Sequence, residues 1–472
     1  MNRNCALRSY RDLPRTLIYK EQPEATVLLE KEWSFLRQCD GEKPLCLDEE
    51  TKVWLHASRV AAMIHEAAEG ETLSAWQKNI EHDNRYFPAI EWRITDRCNY
   101  NCLHCYNASD ESACADQWEY EEALAFLDQC RECGILEIRL SGGEPMLHKR
   151  FPDLVRAIYE RGMYVGEIVT NGSFLNRDIL SEIASYGKKP LFKVSFDGFG
   201  FHDWMRNYPG AEKQALKAFE LLAEEGFPIL VNSQINRRNK DSFSQTISYF
   251  DALGIQTLRF IRTTEVPRWV LNAGDASLSY EEYYDVMLDV LREYHSKPRK
   301  MALTLWAFGI FRPEGKSYRM VHTACPHESY RDTMPACPTV RKQICVGAGG
   351  NIYPCSQQSG ILDSRNICLG NVKRDGLQKL LQDSAYTDIA CMTVADVRER
   401  NPKCAVCTHF EQCHGGCRGL GFLTTGDLYG EDGAMCKLFE LDYESKVQEI
   451  MSDWSNAAPS PGHDSAARNE NC

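Results

Sequence analysis

A chain of 472 residues that is 43% hydrophobic can bury a large core, and its length suits two to four domains rather than a disordered chain. Its formal net charge of −13 excludes the overall basic footprint that nucleic acid or an anionic membrane surface would select. With no apolar run near about 18 residues and no basic-then-apolar N-terminus, the expectation is a soluble, cytoplasmic protein without nucleic-acid or membrane partners.

Residues 1–88 read as a separate unit. Short β-rich runs at 16–19 and 25–29 precede a predicted helix over 32–38 that stops near Asp40-Gly41. The apolar run Val53-Trp54-Leu55 follows, and a helical pattern starts near Thr72, where Thr72 or Ser74 can cap it ahead of Trp76. Elements of this number and size suit a winged-helix-like module whose exposed strand edge captures an extended peptide as an added strand. The same residues could equally serve only to buttress the next domain.

From residue 89 to 296 strands alternate with helices. The run Ile90–Ile94 leads into a cysteine loop, after which helix and strand pairs are predicted at 120–133 and 136–140, 151–161 and 166–169, and 177–186 and 191–196. Two more follow at 211–225 and 229–233, and at 242–253 and 257–261. Six such units joined by short loops predict an α/β fold, a partial (β/α)6 barrel of the TIM-like kind, with its functional residues at the C-terminal strand ends.

Four loops at those ends carry chemistry. In the first, Cys98, Cys102 and Cys105 are spaced so that they can converge on one 4Fe-4S cluster and leave one iron without a protein ligand, open to a small molecule. Ser141-Gly142-Gly143-Glu144-Pro145 follows the second strand, Thr170-Asn171-Gly172 the third, and Ser195-Phe196-Asp197-Gly198 closes the fourth. Paired glycines admit a ligand close to the backbone, and Glu144 is an acceptor suited to an ammonium group.

Twenty-one cysteines in a chain with no export signal point to metal ligands where they cluster. Cys5, Cys39, Cys46, Cys114, Cys130, Cys133 and Cys472 have no ligand spacing and read as buried apolar side chains or idle thiols. After a linking segment at 297–324, residues 325–454 are cysteine-rich: Cys337, Cys345 and Cys355, then Cys404, Cys407, Cys413, Cys417 and Cys436. The pairs Cys404/Cys407 and Cys413/Cys417 taken alone also match a four-sulfur zinc site. Residues 455–472, rich in Ser, Asn, Ala and Pro, read as a disordered tail.

The cysteine loop together with the Gly-Gly-Glu-Pro segment resembles the radical S-adenosylmethionine enzymes over about residues 89–265, with His104 and Tyr106 beside the last cysteines where many members place an aromatic residue near the adenine. The resemblance implies that Gly142, Gly143 and Glu144 bind the amino group of S-adenosylmethionine, that Ser195 lies near its ribose or carboxylate, that Arg206 reaches the carboxylate, and that Tyr106 belongs to the same pocket. The C-terminal spacings resemble the SPASM extension, which implies two auxiliary 4Fe-4S clusters and three in all. Cys337, Cys345, Cys355 and Cys417 would hold one, and Cys404, Cys407, Cys413 and Cys436 the other. Cys325 or Cys368 could replace Cys345, or one iron could stay open to substrate.

By the same resemblance, joined to the N-terminal module, the expected activity is that of a ribosomal-peptide maturase. It would abstract a hydrogen atom from a precursor peptide and close a thioether, C–C or C–O crosslink, with electrons from a flavodoxin or ferredoxin. Formylglycine formation in a sulfatase, peptide epimerisation and a noncatalytic metal-binding redox or partner module are the alternatives. No general base stands out; Asp332, Glu328 and Asp197 qualify only by lying in loops, where a solvated carboxylate is the simpler role. The substrate, the bond formed and the oligomeric state stay open.

Overall fold

The computed structural model describes residues 1–22, 24–42, 45–68, 71–107, 117–313, 318–320 and 332–457. Cys114, Cys325, Glu328, Cys472 and residues 458–472 of the expected tail lie outside them.

The N-terminal unit has β1 (Asn2–Arg3), β2 (Ala6–Ser9), β3 (Thr16–Ile18), β4 (Thr26–Val27), α1 (Glu30–Leu36), α2 (Glu49–Ala57), β5 (Ile64–His65) and β6 (Ile80–Glu81). One sheet runs β4-β3-β2-β6 and β1 pairs with β5. Cys5, Leu7, Leu17, Trp33, Leu36 and Cys39 belong to a core of its own. Val53-Trp54-Leu55 lies within α2, whose N-cap Asp48 accepts the Thr51 N–H at 2.8 Å.

The helix expected from Thr72 does not form. The Arg3 guanidinium takes the Gln77 carbonyl at 2.9 Å, while Arg8 takes those of Trp76 at 2.8 Å and Lys78 at 2.7 Å. Carbonyls that would stay free for a continuing helix are thus committed to residues about 70 positions away, and the segment forms only a turn at 75–77.

The barrel strands are β7 (Ala89–Arg93), β8 (Glu137–Ser141), β9 (Tyr164–Thr170), β10 (Leu191–Ser195), β11 (Ile229–Ile235) and β12 (Thr257–Arg262), all parallel to their neighbours. The helices between them are α3 (Tyr120–Glu132), α4 (Phe151–Glu160), α5 (Arg177–Ser185), α6 (His202–Arg206), α7 (Ala211–Glu224) and α8 (Phe243–Leu253). Strand alternation divides the side chains. Ile90, Trp92, Ile138, Leu140, Phe192 and Val194 enter the main core with the helices. Glu91, Arg93, Glu137, Arg139 and Lys193 therefore take the opposite, interior face. Cys130 and Cys133 are small buried members of that main core.

The linking segment at 297–324 is a correction. Beyond α9 (Pro267–Asn272) and α10 (Tyr280–His295), it contains β13 (Ala302–Leu305), parallel to β12, then β14 (Gly309–Phe311) and β15 (Tyr318–Met320), which extend the same sheet antiparallel. At the other edge β16 (Gln343–Val346) pairs parallel with β7 and antiparallel with β17 (Ile352–Tyr353). Among the described residues the sheet therefore has 11 strands, and the cysteine-rich third is built onto the barrel's first strand. The last helix runs to Ala457, past the boundary expected at 454. Asp12–Arg341 at 2.5 Å and Arg11–Asp383 at 3.1 Å tie the N-terminal unit to the C-terminal third. Among the described residues no helix is long and apolar enough to cross a membrane.

Candidate active site

The cysteine loop leaves β7 and is fastened along the end of β8. Ile94 N–H donates to the Ser141 carbonyl at 3.1 Å, Gly143 N–H to Thr95 at 2.8 Å and Glu144 N–H to Arg97 at 2.9 Å. Leu103 N–H donates to Met205 at 3.1 Å and anchors the far side of the loop on α6. Within it the Cys98 Sγ accepts the Tyr100 N–H at 3.4 Å and faces Asn171 Nδ2 at 4.0 Å, while Cys102 Sγ faces Arg206 Nη1 at 3.9 Å. Burial first, and then Cys102, Glu144 and Cys105, push the Cys98 thiol well up against the Tyr100 N–H; burial and Cys105 push Cys102 up to about 11, although Arg206 opposes this. Thiols gathered out of water in this way ionise readily only with cations among them, which is the donor chemistry that an iron-sulfur cluster requires.

The two glycines have a visible reason. A Cβ at Gly142 would lie 2.3 Å from the Thr95 carbonyl oxygen, and one at Gly143 2.3 Å from that of Arg97 and 2.7 Å from that of Asp96. They let the two loops touch backbone to backbone.

Glu144, expected to meet an ammonium group, is fully buried and bonded inside the protein. Its carboxylate accepts Thr170 Oγ1 at 2.9 and 3.0 Å, Asn171 N–H at 2.8 Å and Met146 N–H at 3.3 Å, so it braces the third loop against the second. Burial raises its pKa from 4.5 to about 7 despite those donors. Between pH about 4.5 and about 7 the unfolded chain releases this proton before the folded one does, so stability falls as pH rises, by on the order of 3 kcal/mol in all. Urea unfolding of the iron-free chain at about pH 5 and about pH 8 should therefore show a smaller fall for E144Q than for wild type.

Ser195 ends β10, half-buried on the interior face. Asp197 is not a solvated carboxylate, which corrects the expectation: it is fully buried, accepts Gln234 N–H at 2.9 Å and pairs with Arg206 Nη2 at 2.7 Å. Burial alone would raise its pKa, but Arg206 and His202 outweigh this and hold it well below the usual carboxylate range. It is placed as the partner of Arg206, not as a base. Arg206 in turn lies between Asp197 and the Cys102 sulfur, on the cluster loop itself. Burial and Arg206 push His104 down to about 3, so its ring is neutral. Tyr106 packs its backbone on the helix Ser356–Ser364, where a Cβ at Gly360 would lie 2.0 Å from the Tyr106 carbonyl oxygen.

Charged groups inside the barrel escaped the sequence reading. Glu91 accepts Gln343 Nε2 at 2.7 Å, Gln343 also takes Arg139, and Lys193 pairs with Glu167. The signal was present as charges at every second position, Glu91 and Arg93, then Glu137 and Arg139, in strands otherwise apolar.

In the C-terminal third, Cys404, Cys407, Cys413 and Cys436 line one cavity of about 70 Å³ with Phe410 and Phe439. Cys337, Cys355 and Cys417 lie within one another's fields: after burial, Cys417 and Cys337 both raise the Cys355 thiol. Cys345 lies on β16 in an apolar cluster with Tyr353, Ile361, Leu362 and Phe422, and Cys355 is among the charges it feels. Cys368 is exposed, 3.7 Å from Asn351 Oδ1. Asp332 is exposed and paired with Arg398 at 3.2 Å.

Residues 92–247 match the radical SAM superfamily and residues 337–413 the SPASM iron-sulfur cluster-binding domain. The chain is 27% identical over 376 residues to the PqqA peptide cyclase of Granulibacter bethesdensis, covering 78% of this chain and 91% of that one. It is 25% identical over 345 residues to the AdoMet-dependent heme synthase of Methanosarcina barkeri, covering 73% of this chain and 94% of that one. Its fold is similar to Streptococcus suis SuiB bound to S-adenosylmethionine, with a TM-score of 0.64 at 15% identity over 93% of this chain and all of that one. SuiB bound to its precursor peptide SuiA superposes with a TM-score of 0.63 at 15% identity, covering 92% of this chain and 99% of that one.

Proposed function

We propose, from the premise that this chain is an enzyme of the radical SAM superfamily with a SPASM domain, that it abstracts a hydrogen atom from a ribosomally made precursor peptide and closes an intramolecular thioether, C–C or C–O crosslink. The observation that carries this reading is the N-terminal unit. It has its own core, contributes none of the cysteine ligands proposed here, and ends its sheet in the edge strand β4, with Val27 56% and Leu29 69% exposed. The Val27 carbonyl accepts Arg59 Nη2 at 2.8 Å, so it is the exposed apolar side chains along this edge that suit an extended peptide laid against it. The peptide cyclase relative points the same way; the heme synthase relative is covered to a similar extent, 94% of its length against 91%, so coverage does not separate the two.

When bound, S-adenosylmethionine and the reduced cluster supply a carbon radical that takes a hydrogen atom. Cys98, Cys102 and Cys105 would hold the cluster, the Gly142–Gly143 backbone and Ser195 would line the pocket for S-adenosylmethionine, with Glu144 bracing it and Tyr106 beside it, and neutral His104 would present a stacking face. Arg206, fixed by Asp197, keeps a positive charge against the Cys102 sulfur. Cys337, Cys345, Cys355 and Cys417, with Cys404, Cys407, Cys413 and Cys436, would hold two auxiliary clusters that accept the surplus electron, making three clusters fed by a flavodoxin or ferredoxin.

Reconstituted enzyme offered either the precursor peptide or an iron porphyrin should consume only the peptide; consumption of the porphyrin would overturn the reading. Replacing Val27 and Leu29 by aspartate should weaken precursor binding by about 10-fold or more, as expected for lost apolar burial, and leave peptide-independent S-adenosylmethionine cleavage unchanged. Fluorescence titration of labelled precursor measures the first and product chromatography the second.

A further inference from the structure

A buried carboxylate lies between the two groups of C-terminal cysteines. Asp432 is 2% exposed and caps the helix Gly433–Glu440, which carries Cys436. Its Oδ1 accepts the N–H groups of Ala434 at 2.9 Å and Met435 at 3.3 Å, and its Oδ2 accepts the Cys417 N–H at 2.8 Å. One side chain therefore bonds the helix of a cysteine from one proposed auxiliary site to the backbone of a cysteine from the other. The seat is tight: at Gly416, where φ is +70°, a Cβ would lie 2.6 Å from Asp432 Oδ2. Asp432 also lines the cavity formed by Cys404, Cys407, Cys413 and Cys436.

A counter-charge stands close by. Arg418, 3% exposed, directly follows Cys417 and donates to the carbonyls of Gly430 at 3.0 Å, Leu428 at 3.2 Å and Gly415, the last of which lines the same cavity as Asp432. Fixed charges out of water act on their neighbours with little screening.

We propose that Asp432 is a positioning residue that locks the two auxiliary iron-sulfur sites together and holds both at low reduction potential. The inference rests on the assignment of Cys417 to one auxiliary cluster and of Cys413 and Cys436 to the other. Reduction adds one electron, and so one negative charge, to a cluster; a fixed carboxylate opposes it and a fixed guanidinium favours it.

The test is a redox titration followed by electron paramagnetic resonance, on full-length chain carrying C98A, C102A and C105A so that only auxiliary clusters report, with iron counted in each sample. The expected result is a rise of both midpoint potentials in Asp432→Asn and a fall in Arg418→Gln, at unchanged iron. Potentials that stay put at full iron, or that shift with the same sign in both variants, overturn the proposal. Should Asp432→Asn lose iron, Arg418→Gln decides: a fall in both potentials supports the proposal and no shift overturns it. About eight irons in the parent protein uphold the cluster assignment independently of the potentials, and an iron-free parent overturns the assignment and the proposal together.

Discussion

Replacing Cys98, Cys102 and Cys105 together by alanine should abolish reductant-dependent cleavage of S-adenosylmethionine and remove about four of about twelve irons. The three thiols sit in one loop whose backbone is fastened to β8 and α6, so the alanine chain keeps its path and loses only its sulfur. The C-terminal cysteines belong to other elements and should hold their iron. Product chromatography and iron analysis of the anaerobically reconstituted variant check both halves; cleavage at the wild-type rate would contradict the account.

Gly143→Ala should come nearly as low while every cysteine stays in place. Its added methyl would meet the Arg97 carbonyl carbon at 2.6 Å and oxygen at 2.3 Å, and the Asp96 oxygen at 2.7 Å. These are backbone atoms, which cannot swing aside as a side chain tip can, and Arg97 also accepts the Glu144 N–H. The two loops must separate by about an ångström, a displacement that typically costs on the order of 100-fold in turnover. Gly162→Ala is a useful control for added bulk, because nothing lies within 4 Å of the Cβ it would gain, although its φ of +77° strains any side chain. Turnover in Gly143→Ala within a few-fold of wild type would show that the close approach of the loops is dispensable.

The cysteine loop and the Gly-Gly-Glu-Pro segment were legible because each is a short contiguous stretch whose spacing carries its chemistry. Strands β7–β12 were legible because their apolar faces repeat with long helices between them. What escaped depends on contacts between residues far apart in the chain. Arg3 and Arg8 take the carbonyls on which a helix after Thr72 depends. The strands β13–β15 are only three or four residues long and are defined by pairing with β12 and with each other. Asp197 looked like a loop carboxylate until α6 folded Arg206 back onto it. Glu144 was identified as an acceptor, but its donors come from Thr170 and Asn171 on the next loop.

The central claim is tested most directly by the mass of the precursor peptide after incubation with the reconstituted enzyme, S-adenosylmethionine and reductant in deuterated water. The account predicts a product lighter by two hydrogens, with fragments missing between the two joined residues. An unchanged backbone mass with one solvent deuterium at a former Cα–H would mean epimerisation and would contradict it.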